Sequence, residues 1–205
     1  MRENLLKMKN LGLRDYVEVM EEMKNYTKNR SLSSADDILW LVEHYPVFTQ
    51  GLAGDNKYLL NTGDIPVVQS DRGGQITYHG LGQVVIYPLL CLKEKNLVVR
   101  DLVSMLETAT VKTLANLGIK ANGDSERRGV YLEDGRKISS IGLKVSRSCT
   151  YHGISINCDM DLEPFSRITP CGLEGIKMAQ ISEFKKISVV EVAEIWRKEF
   201  SNLWF

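Results

Sequence analysis

The chain has 205 residues, with 26 basic and 26 acidic side chains and 43% hydrophobic residues. Its length suits one large domain, and its composition is that of a globular protein with a substantial core, not of a disordered chain. Because the formal net charge is zero, no whole-molecule field would draw the protein to nucleic acid or an anionic membrane. The longest apolar run, VVIYPLLCL, is too short to span a bilayer, and the N-terminus lacks the apolar core of a secretory signal. We therefore expect one cytoplasmic domain over residues 1–205, with no nucleic-acid or membrane partner.

The first half of the chain predicts one helix and then several strands. Residues 13–29 carry apolar residues three or four apart, which is typical of an amphipathic helix. The stretch DDILWLVEHYPVFTQG predicts a buried strand in which Pro46 allows only an edge or a break. Strands are also predicted over residues 65–70 and 83–90, and the glycine-rich stretch between them is interpreted as turns.

The second half predicts two further helices around a hairpin and a strand. DLVSMLETATVKTLANLG predicts the clearest helix, with Asp101 as its N-cap and Gly118 at its end. GVYLEDGRKISSIGLKV predicts a β-hairpin that turns at residues 134–135, and CTYHGISINCDM predicts the next strand. The last helix follows the N-cap Ser188. Strands in the middle and helices at intervals predict a single α/β (α+β) domain with a mixed sheet.

The cysteines and histidines argue against a disulfide scaffold and a structural metal. Four cysteines are few for this length and form no C-x-x-C pair, so we expect reduced thiols: Cys91, Cys149, Cys158 and Cys171. The three histidines do not pair with cysteines at zinc-ligand spacing. No phosphate loop or dinucleotide motif is present, so we expect no metal and no nucleotide cofactor.

The stretch SDRGGQITYHGLGQ, residues 70–83, is unusually rich in glycine. Four glycines in ten residues cost backbone entropy, so they suggest tight turns or a close approach of the backbone to another group. One interpretation is a long glycine-rich hairpin in which His79 is a hydrogen-bonding turn residue. The other is a substrate wall, in which backbone N–H groups and Arg72 contact a ligand.

A lysine opens the strand-like stretch GRKISSIGLKV. Strand alternation places Lys137 on one face with Ser139, Ile141 and Leu143. A lysine held against apolar surface loses hydration, which favours its neutral, proton-accepting form. The alternative interpretation is a surface lysine at the mouth of the hairpin.

Two further stretches, TYHGISINC and RITPCG, carry residues with chemical potential. His152 and Gly153 interrupt a strand pattern, and a glycine there marks a bulge or close packing by another group. His152 alone is also consistent with a hydrogen-bonded core histidine. Cys171 lies between a proline and a glycine, where a turn can expose its sulfur to a cavity and surround it with N–H donors that favour the thiolate.

Together and in this order, RGGQITYHGLGQ, GRKISSIGLKV, CTYHGISINCDMDLEPF and RITPCG resemble the lipoyl(octanoyl) transferases, the octanoyltransferases of lipoate biosynthesis. The resemblance covers nearly the whole chain. It implies a single α/β domain of the biotin and lipoate protein ligase catalytic-domain type. It also implies transfer of an octanoyl group from octanoyl-acyl carrier protein to a lysine of a lipoyl domain, in 2-oxoacid dehydrogenase complexes or in the glycine cleavage H protein. We expect no cofactor and a monomer.

The same resemblance assigns roles to individual residues. Cys171 matches the acyl-accepting cysteine, and Lys137 matches its partner lysine. The substrate-binding positions it implies lie in three segments: Arg72, Gly73, Gly74, Gln75, Ile76, Thr77, Tyr78, His79, Ser140, Ile141, Gly142, Gly153, Ile154 and Ser155. One departure is Leu81, where the family usually has proline, so the turn loses a fixed φ angle.

Residues 120–147 carry seven basic against four acidic side chains. Because both implied partners are acidic carrier domains, we expect this region to form part of a docking rim; a merely solvated face is the alternative.

Four other functions remain open from the sequence. An ATP-dependent ligase on the same scaffold would need no cysteine, and a lipoyl amidotransferase would use one with a different donor. A noncatalytic carrier-binding module would need neither Cys171 nor Lys137. A cysteine hydrolase would need His79 or His152 as its base.

Overall fold

The computed structural model describes residues 5–30, 37–124, 126–172 and 175–205, and the side chain of Cys171 lies outside what it describes. Within these ranges the chain forms three α-helices and ten strands. The helices are α1, Tyr16–Asn29; α2, Val99–Asn116; and α3, Val189–Trp204. The strands are β1, Lys7–Arg14; β2, Ile38–His44; β3, Val47–Gln50; β4, Val67–Gln69; β5, Ile76–His79; β6, Gln83–Leu89; β7, Ala121–Asp124; β8, Gly129–Leu132; β9, Lys137–Ser146; and β10, Cys149–Asn157.

The described strands form two mixed sheets. The larger has the order β1-β2-β6-β10-β9-β8-β7, and only its β1–β2 pair is parallel. The smaller has the order β4-β3-β5, with β3 parallel to β4 and antiparallel to β5. Pro46 separates β2, in the larger sheet, from β3, in the smaller one. The predicted mixed-sheet domain and the predicted break at Pro46 are both confirmed.

Helices cover both faces of the larger sheet. Helices α2 and α3 pack on one face, where the fully buried Trp196 donates from Nε1 to Oγ1 of Thr110 at 2.9 Å. Helix α1 packs on the other face through Val19, Met20 and Met23. Neighbouring residues of the central strands therefore point into different cores, as the period of two in a strand requires. None of the helices in the described ranges is long and apolar enough to cross a membrane.

The N-terminal prediction needs one correction. The predicted helix over residues 13–29 begins later, at Tyr16, where the side chain of Asp15 accepts hydrogen bonds from the N–H groups of Val17 and Glu18. The preceding residues form β1, which the sequence analysis missed. Its sequence KMKNLGLR has neither clean alternation nor β-branched residues, so local pattern gave no signal for an edge strand.

The helix caps divide between one correction and one confirmation. Asp101 is not the N-cap of α2, because the helix begins at Val99. The Asp101 carboxylate instead accepts the Val98 N–H at 2.9 Å. This is the bond that the third helical residue of a capping box makes to the backbone N–H of the N-cap residue. Ser188 is the N-cap of α3 as predicted, and its hydroxyl oxygen accepts the Glu191 N–H at 3.2 Å.

The predicted hairpin over β8 and β9 is confirmed, with one irregularity. It turns at residues 134–135, where Gly135 has φ +85°. Val130 pairs with Ser139, but the next residue, Tyr131, pairs with Lys137, so β9 carries one extra residue there. This β-bulge changes which face of the sheet Lys137 occupies.

The glycine-rich stretch is more regular than predicted. We interpreted residues 70–83 as turns, but β5 lies within them and pairs with β3 in the smaller sheet. A four-residue strand between glycines is too short for alternation to reveal it.

Candidate active site

A cavity of about 350 Å³ lies between the two sheets. Its volume is within the range of about 300–1,000 Å³ found for small-molecule sites. Strand β5 supplies one wall, and β6, β9 and β10 supply the others, with Tyr16 at the start of α1. The sequence analysis missed Tyr16 as a cavity residue, because its position also fits the apolar stripe of the helix. Residues from the glycine-rich stretch, from β9 and from β10 line it together.

Eleven of the fourteen predicted substrate-binding residues line this cavity: Arg72, Gly74, Gln75, Thr77, His79, Ser140, Ile141, Gly142, Gly153, Ile154 and Ser155. The other three do not. Ile76 and Tyr78 point the opposite way along β5 and pack in a core with Phe48. The Gly73 N–H donates to the carbonyl of Leu143 at 2.9 Å and so ties the glycine-rich stretch to β9.

Arg72 is buried and holds the cavity wall together. Its Nε and Nη2 donate to Oγ1 of Thr49 at 3.1 and 2.9 Å, and Nη2 also donates to the Thr49 and Gln75 carbonyls at 2.6 and 2.7 Å. Its Nη1 donates to the Gly73 carbonyl at 3.0 Å. These bonds join β3 to the glycine-rich stretch. Arg72 therefore shapes the wall through protein groups, and its predicted contact with a ligand stays a prediction.

All three histidines of the chain surround Tyr16 in the protein interior. The Tyr16 ring lies 5.2 Å from that of His44, 5.8 Å from that of His79 and 6.4 Å from that of His152, measured between centroids. The Tyr16 hydroxyl hydrogen-bonds to the Ser70 hydroxyl at 2.8 Å. We call His44, His79 and His152 the histidine cluster.

Hydrogen-bond partners fix the protonation of two members of the histidine cluster. Nδ1 of His44 donates to the Arg14 carbonyl at 3.1 Å, so its Nε2 accepts from the Tyr87 hydroxyl at 2.8 Å. Nδ1 of His79 donates to the side-chain oxygen of Gln83 at 2.7 Å. Burial lowers the pKa of His44 to about 4 and that of His79 to about 3. Both rings are therefore neutral near physiological pH.

The third member, His152, is held by an acidic residue. Its Nε2 donates to Oδ1 of Asp71 at 2.8 Å, and the Tyr151 hydroxyl donates to Oδ2 of Asp71 at 2.6 Å. These bonds, that from His152 foremost, hold the pKa of Asp71 well below its usual range. Burial lowers the pKa of His152, and its Nδ1 has no hydrogen-bond partner among the described residues. The lowered pKa favours the neutral ring of His152, a residue that lines the cavity.

Lys137 is fully buried at the start of β9. Its Nζ donates to the Arg127 carbonyl at 3.3 Å and lies 5.1 Å from the centre of the Tyr131 ring. Its backbone N–H donates to the Lys177 carbonyl at 2.9 Å, and its backbone carbonyl accepts the Ala179 N–H at 2.8 Å. The alternative interpretation, a surface lysine, is therefore wrong: both the backbone and the side chain of Lys137 bond to other parts of the fold and are buried.

The predicted face of Lys137 is also wrong, and the β-bulge explains why. A Cβ built on Gly129 would lie 2.9 Å from Cε and 3.2 Å from Nζ of Lys137. Gly129 pairs with Ser140, which lines the cavity, so the amine lies on the cavity side of the sheet. Leu143, predicted to share its face, packs instead toward the helices α2 and α3.

Cys171 lies in a 3₁₀ turn, Pro170–Gly172. The Gly172 N–H donates to the Thr169 carbonyl at 3.0 Å, and a Cβ on Gly172 would lie 1.8 Å from Oε1 of Gln75, so the turn packs against the cavity wall. Thr169 and Gly172 border a groove together with Arg127, whose carbonyl accepts the Lys137 amine. Arg127 therefore connects the two features: it borders the groove next to the turn, and its carbonyl accepts the amine of the buried Lys137. The Cys171 side chain itself lies outside the described residues.

The three remaining cysteines are buried free thiols: Cys91, Cys149 and Cys158. Burial raises the pKa of Cys158 to about 11 and also raises that of Cys149. Thiols protonated at neutral pH are poor nucleophiles.

Two predictions about loops can be judged from the contacts. Leu81, in place of proline, is half exposed between β5 and β6, but the turn is held by the Gly82 N–H, which donates to Oε2 of Glu43 at 2.8 Å. Close packing at Gly153 is confirmed, because a Cβ there would lie 2.1 Å from the Ile86 carbonyl oxygen. Side-chain bonds and sheet packing therefore stiffen both segments.

The predicted docking rim also needs a correction. Lys137 is buried and presents no charge at the surface. Arg127 is paired with Asp124 at 2.6 Å, and Arg136 is paired with both Asp134 and Glu183. Arg128, a basic residue of the predicted docking rim, lines the cavity together with Arg127.

This arrangement belongs to a known family. Residues 15–201 match the lipoyl protein ligase A/B catalytic domain, and the chain is a member of that family. The Octanoyltransferase of Dichelobacter nodosus is 55% identical over 195 residues, 95% of this chain and 97% of the relative. The Octanoyltransferase of Vibrio vulnificus strain CMCP6 is 50% identical over 204 residues, 98% of this chain and 92% of the relative.

Solved structures share the fold at low sequence identity. A lipoate-protein ligase A bound with ATP superposes with a TM-score of 0.79 at 15% identity, over 97% of this chain and 85% of that one. A bi-partite lipoate protein ligase from Thermoplasma acidophilum, described with its E2 lipoyl domain, gives 0.74 at 17% identity over 97% and 83%. The biotin protein ligase of Aquifex aeolicus gives 0.54 at 15% identity over 96% and 67%. The predicted biotin and lipoate ligase type of fold is confirmed.

Proposed function

We propose that this protein is an octanoyltransferase of lipoate biosynthesis, which moves an octanoyl group from acyl carrier protein to a lysine of a lipoyl domain through a thioester on Cys171. The observation that carries the proposal is that Arg127 borders one groove with Thr169 and Gly172, on either side of Cys171, and also accepts the amine of the fully buried Lys137 through its carbonyl. Its relatives named Octanoyltransferase cover almost the whole chain at 50% identity or more, which supports the same activity.

In the first step the Lys137 amine takes the proton of the Cys171 thiol. The thiolate attacks the carbonyl carbon of the octanoyl thioester, and the carrier thiol leaves with the proton that Lys137 returns. One thioester replaces another, so the exchange is close to thermoneutral and needs no ATP. Burial of Lys137 favours the neutral amine that this step requires.

In the second step a neutral lysine of the lipoyl domain attacks the acyl-enzyme. Lys137 accepts the proton that the attacking amine loses and passes it to the departing Cys171 sulfur. The product is an amide, which is more stable than a thioester, so this step drives the cycle forward. Backbone N–H groups of the Cys171 turn are candidates to hold the oxyanion of each tetrahedral intermediate.

The cavity is the proposed site for the octanoyl chain. It is walled by Thr77, Ser140, Gly153 and their neighbours from both sheets, and it shares Arg127 with the groove that the Cys171 turn borders. The acidic donor and acceptor domains would approach the side where Arg127 and Arg128 lie. The lipoyl domains of 2-oxoacid dehydrogenase complexes and the glycine cleavage H protein are the proposed acceptors.

Intact-protein mass spectrometry tests the thioester directly. Mixed with octanoyl-acyl carrier protein in the absence of ATP, the protein should gain one octanoyl group that hydroxylamine removes. Cys171→Ser should block the gain, whereas Cys158→Ser, a change at a buried thiol, should retain it. The proposal is wrong if the Cys171→Ser protein transfers octanoate at the wild-type rate.

The same assay separates the ligase alternative, which the ATP-bound structural neighbour makes relevant. A ligase would modify the lipoyl domain from free octanoate and ATP, with Cys171→Ser as active as the wild type. We expect free octanoate with ATP to give no product.

A further inference from the structure

Cys91 and Cys149 face each other across two strand ends, far from each other in sequence. Cys91 follows β6 and Cys149 opens β10, and the two form an isolated antiparallel bridge. The flanking residues make the hydrogen bonds: the Thr150 N–H donates to the Leu90 carbonyl, and the Leu92 N–H to the Ser148 carbonyl, both at 2.9 Å. The cysteines therefore occupy a non-hydrogen-bonded pair position, where side chains of opposite strands are closest.

The geometry of this position suits a covalent link. Cα atoms of a non-hydrogen-bonded antiparallel pair are about 4.5 Å apart, and disulfides span Cα separations of about 4.4–6.8 Å. The isolated bridge places the two cysteines directly opposite each other. The strand pairing itself therefore supplies a separation that a disulfide can span.

The surroundings of the pair restrict its reactivity. Both cysteines are buried, and Cys149, at 4% exposure against none for Cys91, is the more accessible of the two. Burial raises the pKa of Cys149, as does the neighbouring Cys91 thiol, while the Arg30 charge opposes the rise. The Cys91 N–H donates to Oδ1 of Asp37 at 2.8 Å, and that carboxylate pairs with Arg30 at 3.0 Å. The thiolate is scarce at neutral pH and more abundant at alkaline pH.

We propose that Cys91 and Cys149 are a redox-active pair, a modification site that closes to a cross-strand disulfide on exposure to a low-molecular-weight disulfide. The Cys149 thiolate attacks the reagent, forms a mixed disulfide and releases one thiol. The Cys91 thiolate then attacks the Cys149 sulfur and releases the second thiol. Two electrons and two protons pass from the cysteines to the reagent, which is reduced to two thiols.

The link would join the two strands that carry part of the cavity wall. Tyr87 of β6 and His152 of β10 both line the cavity, and each lies a few residues from its cysteine. The cysteines are 58 positions apart in the chain, so a bond between them restricts the unfolded state strongly. We expect the midpoint of thermal unfolding to rise by about 5–10 °C on oxidation.

The experiment uses the full chain carrying Cys171→Ser, so that the predicted nucleophile does not consume reagent. The protein is incubated with glutathione disulfide at alkaline pH, alkylated, and analysed intact and as a non-reduced digest. We expect a loss of two hydrogens, no retained glutathione, a cross-linked pair of peptides containing Cys91 and Cys149, and reversal by dithiothreitol. Added Cys158→Ala should not change this result, and added Cys149→Ala should abolish it.

Three outcomes overturn the proposal: no loss of hydrogens after prolonged incubation, glutathione retained on Cys149, or a link that joins other cysteines or separate chains. If Cys149→Ala does not fold, the peptide map of the protein that retains both cysteines decides alone.

Discussion

Two groups of buried ionisable residues contact the cavity wall or lie close behind it, and they differ in the surroundings in which each is buried. The histidine cluster is embedded in hydrogen bonds that fix neutral rings, with pKa values near 4 for His44 and 3 for His79. Lys137 lies under a carbonyl and an aromatic ring, beside the groove that the Cys171 turn borders. Histidine is the residue that most often acts as a general base, but a ring with so low a pKa is a weak proton acceptor. From this comparison we expect the histidine cluster to be structural, and it supports the proposal that Lys137 transfers the proton.

The largest expected effect tests the Lys137 side. Lys137→Met retains the length and burial of the side chain but removes the proton acceptor, so kcat/KM for octanoyl transfer should fall about 10²–10⁴-fold. Steady-state assays of lipoyl-domain modification measure this. Lys144→Met on the same strand is the matched control and should stay within a few-fold of wild type. Equal losses in the two variants would contradict a special role for Lys137.

The histidine cluster should appear in the pH dependence of stability. A histidine whose folded-state pKa lies below its unfolded value of about 6.5 binds more protons when unfolded, so stability is full above that value and falls as the pH drops toward the folded-state pKa. Between pH 7.5 and 5.5 we expect a loss of about 1–2 kcal/mol for each of His44 and His79, about 3 kcal/mol together. Urea unfolding at the two pH values measures it.

His79→Gln sharpens that measurement, since an amide can still bond to Gln83. The pH-dependent loss should shrink by about 1–2 kcal/mol in this variant. A free energy of unfolding that is the same at both pH values in the wild type would show that the rings are not buried in neutral form.

Arg72 tests whether the cavity wall depends on a fork of donors. Arg72→Lys keeps the charge but cannot reach the Thr49, Gly73 and Gln75 acceptors together, so we expect a loss of about 1–3 kcal/mol in unfolding free energy. Thermal unfolding monitored by circular dichroism measures the loss. Arg167→Lys, whose guanidinium is paired with the exposed carboxylate of Glu163, is the control. An unchanged unfolding midpoint for Arg72→Lys would show that the cavity wall does not depend on the several hydrogen bonds of this guanidinium.

The smallest effect concerns docking. Arg128→Glu should raise KM for octanoyl-acyl carrier protein about threefold to tenfold at low salt and flatten its salt dependence. Lys93→Glu, the same charge reversal in the turn after β6, should leave KM near the wild-type value. If both variants behave alike, overall charge and not the rim sets the encounter rate.

Sequence reasoning succeeded where a local pattern carried the structure. The Asp-Gly turn of the β8–β9 hairpin, the Ser188 cap of α3 and the break at Pro46 each depend on a few neighbouring residues. Strands β5 and β1 were not predicted, because β5 is only four residues long and β1 lacks alternation. Long-range pairing, not local propensity, makes them strands.

At the site, the sequence located the segments better than the directions of their side chains. The bulge beside Lys137 reversed its predicted face, and Arg72 turned out to bond within the wall. The clustering of three histidines around Tyr16 and the pairing of Cys91 with Cys149 join residues far apart in the chain. No single-sequence pattern encodes such contacts, because they are set by strand order and register.

The two edges of the larger sheet bear on whether another chain can pair with it. An edge strand offers unpaired backbone groups to any other extended chain, and that is a common start of aggregation. On one edge, β1 carries exposed Lys7 and Lys9, and its register slips between Asn10 and Leu13, with Gly12 at φ +68°. On the other edge, β7 is four residues long. Charge and irregularity on one side and shortness on the other leave little straight strand for a second chain to extend, so the sheet resists growth into fibrils.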